Sequence, residues 1–250
     1  MPKVMERIEG VRRHRLESSR ETTRQLADTP TLFGENRQPA SRYLAIPSIS
    51  SERRRYIPMA FLEPEVIGSN KLLFVPGASD YHFGILTSAM HTAWVKVVTG
   101  RLKSDFQYSN KLVYNNYPWP DPTYPQRTAI EQAAQAVLDA RAPHLAAGAS
   151  LADLYDPLTM PAALLKAHQA LDRAVDQSYR AAVFTSDRER VEFLFALYEK
   201  LTAPLAPSTT AKPKRAKKIS AAGTVAYPTQ ADLDSGHIYF GAKEDPPPRA

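Results

Sequence analysis

Over residues 2–27 the apolar positions Val4, Ile8 and Val11 fall three and four apart, with Arg12, Arg13, Arg15, Arg20 and Arg24 on or near the other faces. That spacing predicts a helix. Pro30, Gly34 and Pro39 then interrupt the chain. From Arg42 to about Val75 the apolar runs are brief: Tyr43 to Ile46, Tyr56-Ile57, Met59 to Phe61 and Lys71 to Val75, punctuated by Pro47, Pro58, Pro64, Gly68 and Pro76. Short strands joined by loops are expected there. The helical period returns over 83–99 with Ile85, Leu86, Met90, Trp94 and Val97 or Val98, and Gly100 is its expected stop. Four prolines between Tyr117 and Pro125 predict a stiff, irregular connector. Two further helical stripes follow, one over 128–141 (Ile130, Ala134, Val137, Leu138) and one over 161–180 (Leu164, Leu165, His168, Leu171, Val175, Tyr179). A last helix opens on a capping box, Ser186 to Glu189, and runs through Val191, Leu194, Phe195, Tyr198 and Leu201. Past Pro204 the composition turns to Ala, Pro, Thr and Lys, which predicts a disordered basic tail. The expected fold class is α+β: a mixed α/β domain over 1–125, an all-α domain over 126–204, and the tail over 205–250.

With 250 residues, 43% of them hydrophobic, the chain can build a sizeable core. No apolar run approaches the ~18 to 20 residues of a membrane span, and the amino terminus is charged, so a soluble, cytoplasmic protein is expected. The absence of cysteine excludes disulfides and thiolate metal sites. The net charge of +6 is unevenly placed: Lys plus Arg stand 17 against 11 Asp plus Glu over 1–120, 8 against 11 over 121–202, and 7 against 4 over 203–250. A basic first half suits a partner made of phosphates. The six histidines (14, 82, 91, 144, 168 and 237) show no metal-ligand spacing, and no metal is expected.

The candidate chemistry concentrates in Arg101-Leu-Lys103-Ser-Asp105-Phe-Gln107-Tyr-Ser-Asn110 and its continuation to Pro120. Lysine can donate to guanine O6 and N7 in the major groove, an aspartate can accept from the N4 amine of the paired cytosine, and glutamine suits adenine N6 and N7. The alternative for Lys103 and Asp105 is a surface ion pair of little energetic weight. Arg53, Arg54 and Arg55 are three consecutive cations, suited to phosphate contact, with Arg42 and Arg37 as possible additions; the alternative is a charged edge strand that blocks aggregation.

The blocks "RLKSDFQYSN…LVYNNYPWP", "RYLAIPSISSERRRYIP" and "YHFGILTSAMHTAWVK", with the later "LYDPLTMPAALLKAHQALDRAVDQSYR", resemble the target-recognition and C-terminal helical regions of the MmeI-like (type IIL) restriction-modification enzymes. The likeness extends over roughly residues 1–202. In that family one polypeptide joins a nuclease, an adenine-N6 DNA methyltransferase and a recognition domain. The resemblance implies that Lys103, Asp105 and Gln107, with Lys71 or its neighbourhood, specify bases. Lys103 and Asp105 would together read one pair, and Gln107 with the Lys71 neighbourhood another.

No catalytic residue is assigned. Asn115-Asn116-Tyr117-Pro118-Trp119 departs from the Asn/Asp-Pro-Pro-aromatic order by which amino-methyltransferases hold a flipped base, and Gly77 and Gly84 do not fit a glycine-rich cofactor loop. The expected function is sequence-specific recognition of double-stranded DNA. S-adenosylmethionine, the methyltransferase and the nuclease would belong to upstream domains or to a partner protein, in a split system or in what remains of an interrupted gene. The competing classes are a compact methyltransferase with a concealed cofactor site and a helical protein-interaction adaptor.

Overall fold

The computed structural model describes residues 1–34, 36–203 and the pair 239–240, so the expected tail of 205–250 lies outside the described residues apart from that pair. Two compact units are present, 1–38 and 39–250. In the first, the single helix expected over 2–27 is divided into α1 (Pro2–Leu16), α2 (Glu21–Gln25) and a 3-10 turn (Leu26–Asp28). The break falls where Ser18 offers the backbone a local alternative: its Oγ accepts from Arg20 N at 3.2 Å, and Arg20 turns extended to begin α2. The Arg15 guanidinium holds the returning chain, donating to the carbonyls of Leu26, Thr29 and Leu32 at 2.7, 2.8 and 2.8 Å.

Among the described residues the second unit contains two antiparallel sheets, six α-helices and one π-helical turn (Asn110–Tyr114). In chain order the strands are β1 (Tyr43–Pro47), β2 (Ile49–Ser50), β3 (Ala60–Leu62), β4 (Leu72–Pro76), β5 (Gly100–Leu102), β6 (Asp105–Gln107) and β7 (Tyr239–Phe240). One sheet has the order β3-β1-β4-β7 and the other β2-β6-β5. Tyr56-Ile57, expected to be strand, is buried outside any ladder: the Tyr56 hydroxyl donates to Asp172 at 2.7 Å and its ring stacks on His168.

After β4, Gly77 takes a positive φ of 65° and the chain enters α3 (Asp80–Leu86), then α4 (Ala89–Val98). The sequence predicts one helix here, and Ile85, Leu86, Met90 and Trp94 of its stripe are buried while Val97 is exposed. The helix is divided because Thr87 and Ser88, both fully buried, turn their hydroxyls back onto the Phe83 and Ile85 carbonyls at 2.7 Å each. Ser88 then accepts from His91 N, capping α4. Gly100 starts β5 rather than ending the helix, whose cap is Thr99.

Beyond the connector come α5 (Tyr124–Ala146), α6 (Leu151–Leu154), α7 (Ala162–Tyr179) and α8 (Asp187–Thr202). The Ser186 hydroxyl caps α8 as expected, but the Glu189 carboxylate turns to Thr185 and Arg180 instead of closing the box on Ser186. One continuous core runs from Leu44 and Ile46 in β1 through Phe83 and Trp94 to Ile130, Leu171 and Leu194, so strands and helices on both sides of the connector pack together. Close packing sets one residue choice: a Cβ on Gly84 would meet Ile130 Cγ2 at 2.8 Å and Ala134 Cβ at 3.2 Å. Among the described residues no helix is long and apolar enough to cross a membrane.

Candidate nucleic-acid interface

The block from Arg101 to Gln107 is a hairpin. β5 and β6 pair with Gly100 opposite Gln107, Arg101 opposite Phe106 and Leu102 opposite Asp105, leaving Lys103 and Ser104 as a two-residue turn. Lys103 is the only described residue other than glycine with a positive φ, 57°. Lys103 and Asp105 therefore do not share one extended strand: the lysine stands at the tip and the aspartate on the return. Along β6 the alternation of faces puts Asp105 and Gln107 on one side and Phe106 on the other. Phe106 is buried in the core and Gln107 is exposed.

Among the described residues the side chains of Lys103, Asp105, Gln107 and Lys71 make no hydrogen bond or ion pair. The ion pair between Lys103 and Asp105 that offers the bland account of their proximity does not form. A donor and an acceptor stand free on one exposed hairpin.

Ser48 brings Lys71 to the same place. It sits where β1 passes into β2, its N–H donates to the Lys71 carbonyl at 2.9 Å, and its own carbonyl accepts from Tyr108 N at 2.9 Å. Lys71, Ser48 and Tyr108 thus form a lateral row, and at the usual strand spacing Lys71 stands about 10 Å from Tyr108. Ile49 pairs with Gln107 in the next step of the ladder. The hairpin is fixed from beneath: Tyr108, buried, has its hydroxyl 3.1 Å from His91 Nε2 on α4, and Thr99 Oγ1 donates to the Gln107 carbonyl.

Arg53, Arg54 and Arg55 follow β2 in an irregular turn rather than a strand. Arg53 and Arg55 are exposed and Arg54 is half-buried. Arg55 lies over the Tyr56 ring with its Cζ 5.5 Å from the centroid. The residue before this run, Glu52, pairs with Arg101 at 3.3 Å, which ties the arginine turn to the hairpin. Arg42 is elsewhere. It precedes the opposite end of β1, about 16 Å away at ordinary strand rise, stacks on Phe61 at 3.9 Å, and lies 3.9 Å from Glu63. Arg37 falls in the other unit.

Behind the arginine turn is a buried polar network. Arg141 donates to the Met59 carbonyl at 2.7 Å and to the Tyr155 hydroxyl, Tyr155 meets His168 Nε2 at 2.7 Å, and Asp172 accepts from Tyr56 and, at 2.8 Å, from Ala89 N. Burial raises the Asp172 carboxyl above its ordinary value and, with the Arg141 and Arg55 cations, pushes His168 well down. These groups hold the chain between Arg55 and Ala60 against α5, α6 and α7. Sequence spacing gave no sign of them, because Arg141, Tyr155, His168 and Asp172 join Tyr56 only through the tertiary fold.

The connector's aromatics are structural. Tyr117 accepts a hydrogen bond from the Tyr179 hydroxyl at 2.8 Å and packs edge-on against His91, while Asn116 Nδ2 donates to the Lys111 carbonyl at 2.6 Å. Among the described residues no group of three or more acidic or histidine side chains could hold a metal ion.

Residues 1–121 match the family model for the target recognition domain of MmeI, and residues 123–206 match that for the MmeI C-terminal domain. The chain belongs to the MmeI family. It is 41% identical over 201 residues to DNA methyltransferase A of Bacillus subtilis (strain 168), across 80% of this chain and 22% of that protein. It also matches the solved structure of the type IIL restriction-modification enzyme MmeI in complex with DNA, at 47% identity and a TM-score of 0.74, over 80% of this chain and 26% of that one. The chain therefore spans about a quarter or less of the length of these relatives. It corresponds to the MmeI target recognition and C-terminal regions.

Proposed function

We propose that this chain binds double-stranded DNA sequence-specifically and sets the target of a restriction-modification adenine-N6 methyltransferase whose catalytic parts lie outside residues 1–250. The observation that carries the proposal is the hairpin: Lys103 at its tip and Asp105 and Gln107 on its return strand are unpaired, while Phe106 and Tyr108 anchor that strand in the core. A two-stranded ribbon fits the major groove, where a lysine and an aspartate together satisfy a G·C pair. Gln107 with Lys71 reads a second pair. Arg53, Arg54 and Arg55 contact phosphates near the same edge, and Arg42 contacts the backbone farther along or serves the fold through Phe61. Residues 1–125 act as the recognition domain and 126–204 as the helical domain that backs it.

S-adenosylmethionine belongs to the catalytic portion of the intact enzyme, supplied in the cytoplasm by a methyltransferase and nuclease region in the same or a partner polypeptide. The described residues do not fit it. The β4, Gly77 and α3 junction has the strand-turn-helix order of a cofactor loop, but His82 Nδ1 already takes the Ser79 N–H at 3.1 Å and Gly84 is spent on packing against α5.

The test is a binding-site selection on the wild type and on the double variant Lys103→Glu with Asp105→Arg, run with the catalytic partner if tight binding requires it. Donor and acceptor exchange places, so the preference at one position should invert from G·C to C·G, a wrong pair costing ~1 to 3 kcal/mol. If both proteins select the same base at every position, Lys103 and Asp105 do not read DNA.

A further inference from the structure

Lys103 holds a backbone conformation that side-chain-bearing residues rarely adopt, at a turn position where glycine is favoured. A strained tip persists only where its surroundings over-determine it. The group that does so is the Arg101 guanidinium. It donates to the Ser104 carbonyl at 2.9 Å across the turn, reaches toward the Lys96 carbonyl at 3.5 Å, pairs with Glu52 at 3.3 Å, and lies over the Phe106 ring with Cζ 4.2 Å from the centroid. Phe106 is the residue between Asp105 and Gln107. One planar fork therefore grips the turn that bears Lys103, the ring that orients Asp105 and Gln107, and the acid that leads into Arg53.

The geometry points to Arg101 as a positioning residue for base readout, one that fixes the angle of the Lys103 tip over Asp105 and touches no base or phosphate itself. This rests on the reading of Lys103 and Asp105 given above. Lysine in its place keeps the charge but loses the fork and the flat stacking face, so the fold stays and the tip is released. A strained tip that relaxes carries the Lys103 ammonium away from the base edge, and the hydrogen bond that discriminates one pair is lost first.

The experiment compares wild type, Arg101→Lys, Arg101→Met and Lys103→Ala as full chains, with thermal unfolding to verify that each folds. Each is subjected to selection from duplexes with a randomised core, and the dependence of log K on log salt is measured. Arg101→Lys and Arg101→Met should each lower selectivity at the pair read by Lys103 about tenfold, toward the lower end of the range for one good base contact, with the salt slope unchanged. A slope flatter by ~0.9 in either variant would put Arg101 on a phosphate and overturn the inference. Retained selectivity in both Arg101 variants, alongside its loss in Lys103→Ala, overturns the positioning role alone. Wild-type selection by Lys103→Ala overturns the reading of the pair and the inference with it.

Discussion

Arg53 and Arg54 carry no side-chain partner among the described residues, whereas Arg42 and Arg55 lean on aromatic rings. Free cations release counterions when they meet phosphate, so Arg53→Ala with Arg54→Ala should weaken binding to all duplexes about equally. The slope of log K against log salt should flatten by up to ~0.9 per lost contact. An unchanged slope in a salt titration would leave both arginines as solubilising surface. Gly84 presents the opposite case, a residue defined by what cannot be added. With Ile130 and Ala134 facing it from α5 at 2.8 and 3.2 Å from the site of a Cβ, Gly84→Ala should overpack the helix contact. A loss of about 1–3 kcal/mol in denaturant unfolding is expected, despite the helix propensity alanine adds. Stability equal to or above wild type would show that α3 and α5 can shift apart at little cost.

At the scale of elements, the break between α3 and α4 depends on Thr87 and Ser88. Both are buried, and Ser88 satisfies two backbone groups, donating to the Ile85 carbonyl and accepting from His91 N. Ser88→Ala leaves the α4 cap empty and should cost about 1–2 kcal/mol in thermal or denaturant unfolding; a change below a few tenths would mean that other groups hold the break. The same two residues explain what the sequence could not reveal. Ile85, Leu86, Met90 and Trp94 keep helical spacing on both sides, so the periodicity ran on across a kink made by hydroxyls that look polar and exposed. β1 and β4 were legible because their apolar runs are bounded by proline. The β5–β6 hairpin was not, since Lys103-Ser104 carries none of the glycine or asparagine that advertises a tight turn, and its strands are only three residues each. The proposed base-reading residues rest on resemblance at their positions in the chain. Their arrangement, with Lys71 joined to the hairpin by Ser48 and Arg101 beneath the tip, depended on pairing between segments distant in sequence.

For the whole molecule, the buried titratable groups set how stability answers to pH. His91 is fully buried and held down to about 3 by desolvation. His168 is pushed well below its ordinary value by burial and then by the Arg141 and Arg55 cations, and His82 is lowered by burial and Arg127. Each therefore takes up its proton at a lower pH in the folded chain than in the unfolded one, where the imidazole titrates near 6.5. Below that pH the unfolded state binds more protons, so stability falls as pH falls, by up to ~1.4 kcal/mol per pH unit for each buried histidine. Asp172 works in the other direction: burial raises its carboxyl above 3.8, so between that value and its folded value the native state holds a proton the unfolded state has lost. It therefore offsets part of the loss only at the acid end of the range. Unfolding midpoints should consequently be level from pH 8 to 7 and drop steeply from about pH 6.5 to 5, and the drop should become shallower in His91→Phe, provided that variant folds at neutral pH. His168→Asn should show the same shallower drop. A flat profile across pH 5 to 7 in the wild type would mean that the buried imidazoles accept protons in the folded state, and that the network joining Tyr56 to the helices opens to water on acidification.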